Sequence, residues 1–196
     1  MPDPIVARFL DYLEACTSPY HAAKVTAKTL EEHGFERIDE KAEPVTFTEG
    51  SRHYMLRGGS VIAFRCGTRS VSEAGFRIAC AHTDSPNLRV KPHPVLSDRG
   101  YLRLGVEVYG GPIIATWTDR DLGMAGRVVM RDDEGGLRDT LVDFRRPLCH
   151  IPNVAVHLNR KVNEDGLKLN QQTHLPAVFA LGSADDSTPF IEMLAA

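Results

Sequence analysis

The sequence predicts an α/β layered domain followed by a β-rich region, and three observations favour this fold class. Near the N-terminus, two segments place apolar side chains at helical spacing. Two compact apolar runs, residues 61–64 and 76–81, come next and suit central strands covered on both faces. After residue 90, prolines and glycines separate short alternating segments, a texture typical of β structure.

The first two predicted elements are helices. Residues 4–15 carry four apolar side chains on one helical face: Ile5, Phe9, Tyr12 and Leu13. Residues 17–18 supply capping hydroxyls for a second helix, which we expect to run from Pro19 to about Glu32. Gly34 follows it and suits a C-terminal glycine cap.

The remaining elements are mostly predicted strands. We expect short strands at 44–48 and 52–56, central strands at 61–64 and 76–81, and alternating segments at 102–108, 113–117, 127–130 and 137–142. Residues 154–158 predict a strand or a short helix, and residues 173–196 return to helical spacing. The run at 190–196 lacks a closing glycine, and we expect this helix to continue further.

Composition excludes several classes of function. The chain has 196 residues, 42% of them hydrophobic, a formal net charge of −3 and a pI near 6.2. It has no basic stripe for nucleic acid and no glycine-rich phosphate loop. We expect no membrane span and no signal peptide, hence a cytoplasmic protein. Four scattered cysteines predict buried, reduced thiols.

The strongest local motif is AHTDSP at residues 81–86, directly after the second predicted central strand. Open α/β sheets bind ligands at the carboxyl ends of their strands, so His82 is a candidate metal ligand. Asp84, two residues on, projects to the same side of an extended chain and can accept the second imidazole N–H. Spacing alone leaves another interpretation open, in which both residues cap a strand end before Pro86.

Several motifs in order carry a family resemblance. The run at 81–86, followed by LRVKP at 88–92, resembles the signature of the aspartyl aminopeptidases, a family of metallopeptidases. Further similar stretches are SPYHA at 18–22, GVEVYGG at 105–111, TWTDRDL at 116–122, AGRV at 125–128, RP at 146–147 and IPNVAVHLNR at 151–160. The family pattern has an aromatic side chain where Thr118 stands.

The resemblance implies the start of an α/β/α layered metallopeptidase domain, followed by a β-rich dimerisation domain. The corresponding boundaries are residues 1–90 for the proteolytic part and 91–196 for a dimerisation domain that is incomplete at its C-terminus. Such proteins form dimers that assemble into dodecamers. They remove N-terminal aspartate or glutamate from peptides with two divalent metals, usually zinc, although other divalent metals are compatible.

The resemblance also implies roles for three residues. His82 matches a metal ligand, and Asp84 matches the catalytic-site acid that orients it. His157 matches a histidine of the dimerisation domain that faces a neighbouring subunit's active site, as a substrate contact or a metal ligand. Without the resemblance, a histidine between Val156 and Leu158 is more typical of a core or strand position.

Two further expectations concern what the chain lacks and what it does not use. Asp119, Arg120 and Asp121 form an acidic-basic-acidic run that we interpret as an ion-paired turn without a catalytic role. The family's remaining acidic ligands and last histidine have no match after Leu158, so we expect this chain alone to be inactive. Besides an incomplete peptidase chain, two alternatives stay open: a non-catalytic oligomerisation module, and a split subunit that is completed by another chain.

Overall fold

The computed structural model describes residues 3–42, 46–182 and 188–195. Its helices are α1 Pro4–Ala15, α2 Pro19–Glu32, α3 Val71–Ala74, α4 Val162–Asp165 and α5 Thr188–Ala195, with a 3-10 helix at Ile114–Trp117. Its strands are β1 Glu36–Arg37, β2 Arg52–Arg57, β3 Ser60–Arg65, β4 Asn87–Asp98, β5 Tyr101–Tyr109, β6 Asp121–Leu122, β7 Ala125–Arg131, β8 Leu137–Asp143, β9 Cys149–His150 and β10 Ala177–Leu181.

The chain forms two compact units. The first comprises Met1–Ser85 and Ala125–Asp143, and the second comprises Pro86–Met124 and Phe144–Ala196. Sequence placed the boundary at residue 90 and assigned residues 125–143 to the later region, whereas the contacts group this hairpin with the first unit. The physical reason is that β7 and β8 pair with each other and β7 contacts α2. The naming of proteolytic and dimerisation domains stays a prediction.

Both predicted N-terminal helices are confirmed. The Asp3 carboxylate accepts a hydrogen bond from the Ile5 backbone N–H at 2.8 Å and caps α1. Ser18 caps α2, and Gly34 follows the helix at φ +75°, a conformation that favours glycine. Three small residues of α2 are buried: Ala22, Ala23 and Ala27. They allow this helix to lie close against the first unit's sheet.

The first unit has a three-stranded sheet in the order β1-β2-β3. β2 is parallel to β1 and antiparallel to β3, which confirms the strands predicted at 52–56 and 61–64. Tyr54 on β2 is buried and its hydroxyl donates to the Glu31 carboxylate of α2 at 2.5 Å. Of the strand predicted at 44–48, residues 44 and 45 lie outside the described residues, and 46–48 are not strand.

The prediction of a buried central strand at 76–81 is wrong. These residues have no strand partner among those that the structure describes, and Phe76 and Ile78 are 77% and 78% exposed. The other predicted central strand, β3, forms, but Ile62 on it is 61% exposed, so it is not covered on both faces. An apolar run becomes a buried strand only where neighbouring strands and helices cover it.

The second unit is built on a five-stranded sheet in the order β4-β5-β10-β9-β6. β5 confirms the strand predicted at 102–108, while the hairpin β7–β8 of the first unit confirms those at 127–130 and 137–142. Among the described residues of the second unit, six apolar side chains are buried: Leu102, Leu104, Val106, Ile151, Leu175 and Ala177. Burial of this size is the main stabilising contribution to such a sheet.

Strand β4 was not predicted, because Pro92 and Pro94 interrupt the sequence pattern. The structure tolerates both prolines because the β4–β5 ladder shifts its register between Val90 and Val95. Residues within such an irregularity need not donate a ladder hydrogen bond, so proline's missing N–H costs little there.

Three other predictions in the second unit are wrong. Residues 113–117 form the 3-10 helix instead of a strand, with the Thr116 N–H donating to the Ile113 carbonyl at 3.0 Å. Residues 154–158 form a turn instead of a strand or helix. Within the helix predicted at 173–196, residues 177–181 instead form strand β10, which pairs with β5. Only the last part of that predicted helix is confirmed, by α5. In each case tertiary pairing or local turn geometry overrides the periodicity.

The cysteines and helix lengths test two further expectations. All four cysteines are free, which confirms the prediction of reduced thiols, but Cys80 is exposed and the others are half-buried, so the prediction that they are buried is wrong. Cys80 lies in the segment at 76–81, which has no strand partner within the described ranges, and this explains its exposure. No helix among the described ranges is long and apolar enough to cross a membrane.

Candidate active site

His82 lies in the first unit, in an extended segment that follows residues 76–81. Its side chain is 82% exposed. The sequence predicts that His82 lies at the end of a buried strand, and this prediction is wrong. Within the described ranges, no neighbouring strand pairs with residues 76–81. The imidazole is therefore accessible to a ligand from solvent.

One nitrogen of the His82 ring is held by Asp84. The Nδ1 atom lies 2.7 Å from the Asp84 backbone carbonyl oxygen and 3.4 Å from its carboxylate Oδ1. A carbonyl oxygen only accepts, so a neutral imidazole must carry its proton on Nδ1 at this contact. The lone pair then lies on Nε2, the nitrogen that remains for a metal. The roles of His82 and Asp84 stay predictions.

Thr83 fixes the segment that carries this histidine. Its hydroxyl donates to the Gly59 backbone carbonyl at 2.7 Å, in the turn between β2 and β3. The local sequence pattern does not predict this contact, because it joins Thr83 to a residue 24 positions earlier in the chain. The sequence shows only that residue 83 carries a hydroxyl able to donate a hydrogen bond, and not which carbonyl accepts it.

His157 lies in the second unit, in an exposed turn rather than in a core or strand. The turn is closed by the Leu158 N–H, which donates to the Ala155 carbonyl at 2.8 Å. The side chains of Val154, Val156 and Leu158 are also exposed. The histidine is thus presented on the surface, and its predicted role as a substrate contact or metal ligand stays a prediction.

The described residues supply a fitting single ligand rather than a complete metal site. His82 meets the requirements for one zinc ligand, since its ring is oriented and accessible. Within residues 3–42, 46–182 and 188–195, however, no three or more His, Cys, Asp or Glu side chains converge on one point. Zinc sites need about three or four protein ligands, so these residues do not form such a site alone.

Comparison with known proteins identifies the family. Residues 12–192 match the family model described as aminopeptidase I zinc metalloprotease (M18). The chain belongs to the M18 family. The resemblance to metallo-aminopeptidases drawn from the motifs is therefore confirmed at the family level, as is the mixed α/β fold class.

Individual relatives show how much of an M18 protein this chain represents. It is 44% identical over 196 residues to the "Probable M18 family aminopeptidase 2" of Stutzerimonas stutzeri (strain A1501). The aligned region covers all of this chain and 45% of the relative. The chain thus spans about half the length of the curated relatives it matches. A cryo-EM structure of the Ape4 and Nbr1 complex is 38% identical with a TM-score of 0.83, over 89% of this chain and 34% of that one.

A second solved structure supports the same M18 fold. The S. cerevesiae mApe1 dodecamer is 26% identical with a TM-score of 0.70, over 93% of this chain and 39% of that one. The agreement extends over both compact units, since nearly the whole chain is covered.

Proposed function

We propose that this M18 chain contributes to a zinc aminopeptidase that removes aspartate or glutamate from the N-terminus of peptides. The observation that carries the proposal is the contact between His82 Nδ1 and the Asp84 carbonyl at 2.7 Å. It orients the ring and leaves Nε2 as the metal-binding nitrogen. Family membership supports the metal and the class of reaction.

In the proposed enzyme His82 holds one of two divalent metals, and Asp84 keeps its imidazole in the required tautomer and orientation. When bound, zinc polarises the scissile carbonyl and lowers the pKa of a bound water. Thr83 holds the segment in place through Gly59. The described residues contain no cluster of further metal ligands around His82. His82 is therefore assigned metal binding, and Asp84 and Thr83 are assigned its orientation.

We further propose that the protein forms homo-oligomers, with dimers assembling into a dodecamer, and that His157 faces the active site of a neighbouring subunit. Its exposure on a surface turn is compatible with a contact of that kind. The dodecameric state of the yeast relative supports the assembly. In this arrangement His157 contacts the substrate or a metal, and the enzyme acts on cytoplasmic peptides.

The test uses the full product of the gene that carries this sequence. We expect hydrolysis of aspartyl- and glutamyl-p-nitroanilide, slower hydrolysis of the leucyl compound, and zinc detected by elemental mass spectrometry. His82→Ala should lower zinc content and reduce kcat/KM by at least about 100-fold, because a ligand is lost from the metal. Dialysis against a chelator should remove activity, and added zinc should restore it.

His93→Ala is the matched control, since His93 is an exposed histidine on β4 outside the proposed site. It should leave zinc content and turnover unchanged. Unaltered zinc and turnover in His82→Ala would contradict the proposed site. A defined oligomer without zinc or hydrolysis would favour the oligomerisation module, and activity restored only by a second, different chain would favour the split subunit.

A further inference from the structure

Asp119 has an unusual backbone conformation for a residue with a side chain. It lies at φ +54°, in the left-handed region, just before strand β6. Aspartate tolerates this region better than most residues other than glycine, but the conformation still carries an energetic cost. Surrounding contacts must therefore hold Asp119 in place.

Those contacts join Asp119 to the chain that leads to His157. The Asp119 N–H donates to the Ile151 carbonyl at 3.0 Å, and the Asp119 Oδ1 atom accepts from the Asn153 N–H at 2.9 Å. The backbone N–H and the carboxylate of Asp119 thus both bind the segment from Ile151 to Asn153. All of these residues belong to the second unit.

The base of this segment is anchored on either side of the two bonds. Ile151 is fully buried, and His150 pairs with Asp121 where β9 meets β6. The His150 ring adds further contacts, with Nδ1 3.1 Å from the Arg120 carbonyl oxygen and Nε2 3.9 Å from Asp119 Oδ1. Residues 150 and 151, at the start of the segment that leads to His157, are therefore held by burial and strand pairing.

From this point a short series of hydrogen bonds leads to the turn. The Asn153 side-chain oxygen accepts from the Val154 N–H at 2.8 Å, and the Leu158 N–H donates to the Ala155 carbonyl. Side chains from 154 to 158 are exposed, so core packing does not hold the turn. The hydrogen bonds at its base therefore contribute to its position, together with the bond from the Asn159 N–H to the Val156 carbonyl at 3.2 Å.

We propose that Asp119 is a positioning residue for His157, because its carboxylate binds the Asn153 N–H and fixes the base of the His157 turn. The proposal rests on the proposed function for its consequence in catalysis, and on geometry alone for the positioning itself. Asp119 needs no contact with substrate in this role. The sequence interpretation of the run at 119–121 as an ion-paired turn without a catalytic role stays a prediction, and Arg120 donates to the Thr116 carbonyl at 3.3 Å.

Amide hydrogen exchange on the 196-residue chain tests the positioning. Asp119→Gly keeps the left-handed backbone accessible but removes the acceptor. We expect exchange at Asn153 and Leu158 to accelerate by at least about tenfold, the effect of losing one hydrogen bond to a charged acceptor. The NMR signals of the His157 ring should shift with it.

Two variants separate the acceptor from general damage. Asp119→Asn retains an acceptor oxygen and tolerates the left-handed region, so exchange at both amides should stay within about threefold of wild type. Asp132→Gly removes a comparable carboxylate acceptor from the β7–β8 turn and should leave the His157 turn unchanged. Protection of Val106 in β5 reports whether the second unit, which contains Asp119 and the His157 turn, folds in each variant.

The catalytic consequence is measured on the full gene product. Asp119→Gly should lower kcat/KM by about 10- to 100-fold, the order expected for a misplaced active-site group. In a His157→Ala background the same change should have less than about a twofold effect, whereas a merely structural role would reduce both backgrounds equally.

Unchanged exchange at Asn153 and Leu158 in Asp119→Gly would overturn the positioning, as would equal losses of turnover in the two backgrounds. If the full gene product does not hydrolyse acidic substrates at all, the proposed function fails, and the exchange result alone decides whether Asp119 positions the turn. The two failures are therefore distinguishable.

Discussion

At the scale of single residues, Tyr54 links the first sheet to α2. Its side chain is buried, and its hydroxyl donates to the Glu31 carboxylate. Burial raises the pKa of Tyr54 above its ordinary value near 10, and the bond to Glu31 raises it further. The phenol is neutral at physiological pH, so its contact stabilises the fold there.

This raised pKa predicts a loss of stability in alkali. The contribution of Tyr54 is fully present below pH 10 and is lost as pH rises from the unfolded pKa through the folded one, because the unfolded chain ionises first. We expect the free energy of unfolding to fall less between pH 9 and 11 in Tyr54→Phe than in wild type. Urea titrations at both pH values measure it, and equal falls would contradict the prediction.

Cysteine reactivity offers a second residue-scale prediction. Burial raises the pKa of the Cys149 thiol, and the thiolate is the reactive form. Cys80 is exposed. We expect iodoacetamide at pH 8 to alkylate Cys80 at least about tenfold faster than Cys149, as measured by peptide mass spectrometry. Equal rates in the native chain would contradict this, whereas equal rates in urea are the expected control.

Sequence anticipated part of the His82 environment at this scale. It identified Asp84 as the partner of the ring, because residues two apart share a side in extended chain. It did not identify the backbone carbonyl as the nearer acceptor, nor the bond from Thr83 to Gly59. Those contacts depend on the conformation of the turn and on a residue distant in sequence.

At the scale of elements, the segment at 76–81 shows the limit of hydrophobic patterning. Its composition is that of a central strand, yet its apolar side chains are exposed and it lacks a described strand partner. Helices α1 and α2, by contrast, carry their signals locally, in caps and periodicity. The two N-terminal helices are therefore predicted here more reliably than the covered strand at 76–81.

Exposure at this segment predicts small effects on stability. Ile78→Lys should change the unfolding free energy of the 196-residue chain by less than about 0.5 kcal/mol, as is usual for exposed positions. Leu104→Ala, at a buried position on β5, should cost about 2–5 kcal/mol because it leaves a cavity. Urea unfolding followed by circular dichroism compares the two, and a similar cost for both would show that residue 78 is covered in solution.

At the scale of the whole molecule, a weak net charge accompanies an apolar surface. The formal charge is −3, the pI is near 6.2, and many large apolar side chains are exposed on α1, around 76–81 and around 154–158. Low net charge removes the repulsion that keeps apolar patches apart. This surface is available for contacts with other polypeptide.

The charge predicts pH-dependent association. Light scattering from the 196-residue chain should be greatest near pH 6.2 and should decrease at pH 8, where net negative charge grows. Raising the salt concentration at pH 8 should increase scattering, because it screens the repulsion. A scattering maximum at pH 8 in low salt would contradict this explanation.

The sequence by itself determined helices α1 and α2, strands β2, β3, β5, β7 and β8, the α/β class and the family motifs, because caps, periodicity and alternation are local properties. Only the tertiary structure decided that β4 continues past two prolines, that 76–81 is exposed, and that Asp119 holds the base of the His157 turn. Each of these depends on contacts between residues distant in the chain, and local side-chain patterns carry no information about which distant partner is present.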